Sequence, residues 1–157
     1  MTVSYRIKDE PQPSVWSHFA VNPLWPLLSM MLAGVWLAWP WFVLNGFIVG
    51  SPTRWRELVW IVGGLVGSIV VSLIIIALVE TKFLTSQFSV QYAFLIFVGW
   101  KLAVSYQVFM LQIETFELYE YYGGVVSNGI WVLLIGIFFR HKFLLELLPF
   151  PFWLWAI

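Results

Sequence analysis

Four long apolar runs occupy most of this chain, at residues 24–49, 58–79, 88–113 and 125–139. A helix needs roughly 17–25 residues to cross the hydrocarbon of a bilayer. The first three runs reach that length, and the fourth reaches it with its flanks, so we expect transmembrane helices at 24–49, 58–79, 88–113 and 124–143. The pattern predicts an all-α, polytopic membrane protein whose four helices form one bundle.

Composition leads to the same class of protein. The chain of 157 residues is 61% hydrophobic, 20% aromatic and only 10% charged. A soluble domain of this size carries about 25% charged residues, because its surface has to be wetted. The formal net charge is zero, so no overall field favours nucleic acid. With no cysteine, disulfides, thiolate metal sites and cysteine nucleophiles are excluded.

Polar or aromatic segments flank the predicted bundle. Residues 1–22 form a polar N-terminal tail that lacks the order of a cleavable signal peptide, so we expect the first helix to stay in the mature protein. Residues 144–157 are rich in proline, phenylalanine and tryptophan. That segment is too short and too interrupted to span, and we expect it to lie at the membrane interface.

The first run is the least regular of the four. Pro40 lies inside it, removes one backbone hydrogen bond and leaves the Trp36 carbonyl without its usual donor. We therefore expect a kinked or broken helix near Trp36 and Trp39, closed by a turn that begins at Asn45.

The second run carries small residues at helical spacing: Gly63, Gly64, Gly67, Ser68 and Ser72. Such rows let two helix backbones approach closely in lipid, where burial of apolar surface gives no driving force. They predict a packing face, either inside this monomer or between two copies of the chain.

The third run carries a lysine at its midpoint. On a helix, Lys101, Ser105 and Gln112 fall on one narrow polar stripe. A central lysine costs about 2.5–3.5 kcal/mol to insert, so we expect a compensating partner. The candidates are the freed Trp36 carbonyl and the rings of Trp36 or Trp39, with Asn45 as a further candidate ligand. Lys101 is interpreted as a clamp between helices, a site for an anion, proton or lipid headgroup, or a contact with another subunit.

The end of the third run carries an acidic row, Glu114, Glu117 and Glu120. It could bind a cation or a basic partner, or form the solvated end of a long helix. His18 and His141 are isolated, so no metal site is predicted. The spans lack positioned acids, bases or metal ligands, so we expect neither catalysis nor a cofactor.

Basic residues set the expected orientation. With four spans, Arg6, Lys8, Lys82, Arg140 and Lys142 share one side, whereas Arg54 and Arg56 lie on the other. This asymmetry predicts that both termini are cytoplasmic.

Two stretches resemble a loose group of small bacterial membrane proteins with four helices. The first is Ala33-Gly34 to Asn45 followed by Gly50-Ser51-Pro52-Thr53-Arg54, and the second joins Gln112, Gly123-Gly124, Asn128 and Trp131. The resemblance implies a bacterial inner membrane and carries no activity. We expect a non-catalytic subunit of a membrane complex, with an accessory, assembly or immunity-type role, that contacts lipid and another membrane protein or a second copy. The alternative is a small oligomeric channel or transporter that uses Lys101.

Overall fold

The computed structural model describes residues 11–83 and 86–140. In this part of the chain the regular structure is α-helical, with one short 3-10 turn and one isolated β-bridge between Val21 and Ser127. The predicted all-α class is therefore confirmed for the described residues. The helices are α1 (Leu24–Leu32), α2 (Val35–Val49), α3 (Arg54–Glu80), α4 (Gln87–Tyr121) and α5 (Ile130–Phe139).

The first apolar run forms a helical hairpin, whereas a kinked or broken transmembrane helix was expected at 24–49. Asn45 hydrogen bonds to Val21 although 24 residues separate them. Met30 in α1 packs with Val35 and Ala38 at the start of α2. These contacts place α1 and α2 side by side in opposite directions. With 9 and 15 residues, they measure about 13 Å and 22 Å at 1.5 Å per residue.

The hairpin turns at Gly34, six residues before the proline where a kink was expected. Gly34 has a φ of 100°, a value that favours glycine. The Ser29 carbonyl accepts hydrogen bonds from the backbone N–H groups of both Ala33 and Gly34, at 2.8 and 2.9 Å. Pro40 lies inside α2 instead. The expected turn at Asn45 is also helical, and α2 ends at Val49, followed by its C-cap Gly50 with a φ of 72°.

Residues 11–21 run alongside the second half of α2. The backbone N–H groups of Gln12 and Ser14 donate to the carbonyls of Gly50 and Ile48, both at 3.1 Å. The Ser127 N–H donates to the Ala20 carbonyl at 2.7 Å. The segment 11–21, the turn 50–53 and the loop 122–129 therefore meet at one end of the molecule, which we call the near end.

Helices α3 and α4 form the longest pair and run antiparallel. The Trp100 indole N–H donates to the Gly64 carbonyl at 3.3 Å, while Gln112 meets Glu57 nearer the start of α3. Arg54–Glu80 and Phe88–Tyr121 are long and apolar enough to cross a membrane. These two helices support a membrane association by length and composition, whereas four spans are not shown for the described residues.

The last described helix starts at Ile130, later than the expected residue 124. The preceding loop includes Gly123, at a φ of 82°, and Ser127, which bridges to Val21. Along α5, Gly136 lies against Leu37 and Ala33, and an Arg140 N–H donates to the Leu32 carbonyl at 2.7 Å. The predicted end of this helix at residue 143, the segment 144–157 and residues 1–10 lie outside the described residues.

Among the described residues, the buried core lies in one half of the molecule. The largest buried cluster joins α1 and α2 to the first half of α3 and the second half of α4: Met30, Val35, Ala38, Trp39, Phe42, Ile61, Val104 and Val108. By contrast, no described residue from 69 to 96 is buried. We call residues 69–80 of α3 and 87–96 of α4 the far half of this helical pair.

Candidate functional site

One side of α4 carries a buried polar row towards α2 and α3. Lys101, Ser105 and Gln112 are 1%, 0% and 3% exposed. The Trp39 indole N–H donates to Ser105 Oγ at 2.9 Å, and Ser105 Oγ donates to the Lys101 carbonyl at 2.9 Å. The structure thus joins the predicted residues Trp39, Ser105 and Lys101 through a short chain of hydrogen bonds.

Lys101 lies level with the tip of the α1–α2 hairpin. Its row follows α2 towards the hairpin turn, since Gln112 contacts the Phe42 carbonyl and Ser105 contacts Trp39. Lys101 lies one helical turn of α4 further along, which corresponds to the start of α2 near Val35. The Lys101 ammonium lies 4.0 Å from the centroid of the Phe97 ring on its own helix. The cation–π contact was expected from Trp36 or Trp39, whose indole N–H groups donate to the Ala33 carbonyl and to Ser105 Oγ, and the structure shows it with Phe97.

A second polar cluster, not predicted from the sequence, surrounds Glu57 at the near end. We call Glu57, Ser51, Thr53, Gln112 and Thr115 the Glu57 cluster. Glu57 Oε1 accepts hydrogen bonds from Ser51 Oγ at 2.6 Å and Thr53 Oγ1 at 2.8 Å. Glu57 Oε2 accepts one from Gln112 Nε2 at 2.7 Å. The carboxylate therefore ties the α2–α3 turn to α4.

The Glu57 carboxylate is 1% exposed, and its partners are neutral. Within residues 11–83 and 86–140, no Lys, Arg or His side chain forms an ion pair with it. A buried charge is costly unless it is paired or fully hydrogen-bonded. Gly46 makes room for the group, because a Cβ at this position would collide with Glu57 Oε2.

Gln112 is the point where the cluster is incomplete. Its Nε2 donates both to Glu57 and to the Phe42 carbonyl, the latter at 2.6 Å. Its Oε1 is buried and has no hydrogen-bond partner in the structure. The adjoining cleft is lined by Asn45, Gly46, Val49, Ser51, Thr115 and Phe116, and has no space for a water molecule.

A sequence signal for Glu57 does exist. Glu57, Ile61, Gly64 and Ser68 are the buried residues of α3 and recur at intervals of four, three and four. A glutamate in register with this row of small and apolar residues faces the protein interior. Its neighbours Arg54 and Arg56 are exposed, and in the sequence they suggest the solvated start of a helix.

Asn45 has a structural role between α2 and the segment 11–21. Its amide accepts the Val21 N–H at 3.0 Å and donates to the Val21 carbonyl at 2.9 Å. Trp36 and Pro40 lie elsewhere, on the wall of a groove of about 500 Å³ between α2 and α5. That groove is mainly apolar, and Phe19, Ser127 and Asn128 line it at the near end.

The small-residue rows of α3 divide between two faces. A Cβ on Gly64 would lie 2.7 Å from Val104 Cγ1, and one on Gly67 would lie 2.5 Å from the Trp100 ring. Ser68 is buried beside them, and Ser72 Oγ donates to the Ser68 carbonyl at 2.8 Å. Gly63 instead faces open space. Of the five predicted small residues, Gly64 and Gly67 thus lie against α4.

The acidic row remains apart from these clusters. Glu114, Glu117 and Glu120 are exposed on the second half of α4. His18 is also exposed, and its ring contacts Trp16 and Phe19, whereas His141 lies outside the described residues. In residues 11–83 and 86–140, no group of three or more His, Asp and Glu side chains is arranged to hold a metal ion.

Comparisons of the chain with protein-family models, with curated proteins and with solved structures gave no match.

Proposed function

We propose that this protein is a non-catalytic integral membrane subunit, with an accessory, assembly or immunity-type role, that binds another membrane protein through the far half of α3 and α4. The observation that carries the proposal is the one-sided core. The near half of α3 and α4 is covered by residues 11–21, α1 and α2, while no described residue from 69 to 96 is buried.

The α1–α2 hairpin reaches only about halfway along α3, which accounts for the difference in burial between the near and far halves. If α3 and α4 cross the bilayer, α1 and α2 enter from the near end and turn back at Gly34, about halfway along α3. Irregular backbone at such a depth has to be covered by protein or by a wet cavity. Trp36 and Arg140 already satisfy the Ala33 and Leu32 carbonyls at the turn. Beyond the turn, the exposed apolar side chains of the far half suit contact with helices of a partner protein.

The proposed orientation places the near end in the cytoplasm of a bacterial inner membrane. Arg54 and Arg56 are exposed there, and Arg6 and Lys8 precede the near-end segment in the sequence. Lys82 is the basic residue of the α3–α4 connection. An excess of basic residues marks the cytoplasmic side. This orientation keeps the N-terminus cytoplasmic and moves the 50–57 segment to the same side.

A channel or transporter that uses Lys101 is the second candidate. A charged residue level with the hairpin tip favours it, because intramembrane charges commonly mark ligand or ion pathways. Its weakness is that Lys101 is only 1% exposed and contacts the Phe97 ring, so the ammonium does not border an open path in this structure.

Crosslinking in native membranes tests the main proposal. A photoreactive residue at Leu73 or Leu95, both exposed in the far half, should crosslink to one defined membrane protein. The matched control is Tyr121, which is exposed at the near end of α4, and it should not give that product. A closed homo-oligomer without a second protein, measured by the mass of the purified complex, would favour the channel, and lipid adducts alone would contradict the docking surface.

A further inference from the structure

We propose that the Glu57 cluster is a binding site for a monovalent cation of the size of Na⁺. A buried charge without a charged partner and a buried oxygen without a hydrogen bond lie next to each other in the structure. The Glu57 carboxylate is buried with neutral partners only, and Gln112 Oε1 is buried without a hydrogen bond. Gln112 Nε2 lies 2.7 Å from Glu57 Oε2, so the amide group that carries the unpaired oxygen adjoins the carboxylate.

The available atoms are hard oxygen donors. Glu57 supplies a carboxylate, Ser51 and Thr115 supply hydroxyl oxygens 3.5 Å apart, and Gln112 supplies its amide oxygen. Oxygen ligands of this kind suit hard cations rather than zinc or copper. One carboxylate is balanced by one positive charge, so a monovalent ion leaves the buried site neutral.

The narrowness of the cleft favours a small ion. It has no space for a water molecule, and Ser51 Oγ now donates to Glu57 at 2.6 Å. On binding, this hydroxyl turns its hydrogen away and presents a lone pair to the ion. Ser51 belongs to the turn between α2 and α3, so ion entry also shifts that turn. A larger cation such as K⁺ demands a larger shift and binds more weakly.

A bound ion would couple three helices. Gln112 contacts the Phe42 carbonyl of α2 as well as Glu57 of α3, and both Gln112 and Thr115 belong to α4. Occupancy therefore stabilises the junction at the near end where the hairpin joins the α3–α4 pair. This site does not depend on the partner proposed for the far half.

Thermal unfolding of the purified full-length protein in detergent tests the site, with NaCl exchanged for choline chloride at constant ionic strength. We expect the Tm to rise with the logarithm of Na⁺ concentration above the dissociation constant, and to rise less with KCl. Glu57→Gln removes the charge at nearly constant volume and should abolish the Na⁺ effect. The control is Glu114→Gln, an exposed glutamate on the same helix as Gln112, which should retain it.

A Tm that is equal in NaCl and choline chloride overturns the proposal, as does a Na⁺ effect that survives in Glu57→Gln. Stability that follows pH alone, without Na⁺ dependence, would assign a proton to Glu57 and also overturns it. If Glu57→Gln does not fold, a saturable and Na⁺-specific change in the tryptophan fluorescence of the native protein, weakened in Thr115→Val, decides the question.

Discussion

Val21 and Asn45 pair through two hydrogen bonds, in which the Asn45 side chain acts as the partner of both backbone groups of Val21. In a single straight helix these residues would lie about 36 Å apart along the axis, at 1.5 Å per residue. Their contact fixes the antiparallel course of residues 11–32 against α2. The near-end location of the N-terminal segment follows from it.

Asn45→Leu should weaken the hairpin. The substitution leaves the Val21 N–H and carbonyl buried without partners, which we expect to lower the free energy of unfolding by about 2–4 kcal/mol. The measurement is the denaturant or thermal stability in detergent. Asn128→Leu is the matched control, because Asn128 caps the exposed N–H of Ile130. Equal losses in the two variants would contradict the role of the Val21 pair.

The adjacent glycines of α3 allow a test with one added methyl group. Gly64→Ala places a carbon 2.7 Å from Val104 Cγ1 and should cost about 1–3 kcal/mol of stability through overpacking. Gly63→Ala faces open space and should be neutral or stabilising by up to about 1 kcal/mol, because alanine favours helix. Similar effects at both positions would rule out Gly64 as the contact with α4.

Lys101→Met tests the clamp interpretation of the buried lysine. It keeps the approximate volume and removes a costly buried charge, so stability should change little or rise. The protein should then still form its partner complex, measured by the crosslink yield at Leu73. A folded Lys101→Met protein that loses its biological activity, with partial rescue by Lys101→Arg, would instead support a ligand or transport site.

The sequence predicted the apolar helices better than their course. Hydropathy identifies segments that lie in apolar surroundings, and it located the bodies of α3 and α4. It carries no information on direction, so the run at 24–49 appeared as one span of sufficient length. The turn depends on the positive φ of Gly34 and on the distant Val21–Asn45 contact. Pro40 was the stronger local signal, yet α2 accommodates it.

The buried polar row of α4 could be predicted from the spacing of its residues, whereas the residues of α2 and α3 that it contacts could not. Helical periodicity placed Lys101, Ser105 and Gln112 on one face, but the identity of the opposite residues depends on how the helices pack. Ser105 meets Trp39, and Gln112 meets Glu57. Glu57 was overlooked because two exposed arginines precede it and suggest an interfacial helix start. Its register with Ile61 and Gly64 was the signal that pointed inward.

Cysteine labelling tests the half-length hairpin most directly, because the natural chain contains no cysteine. Single cysteines replace Val15, Pro52 and Phe83, which are exposed in the structure, and membrane vesicles of both orientations are treated with an impermeant maleimide. The hairpin predicts that Val15→Cys and Pro52→Cys are labelled from the same side and Phe83→Cys from the other. Labelling of Val15→Cys and Pro52→Cys from opposite sides would mean that residues 24–49 cross the membrane once, and would contradict the hairpin.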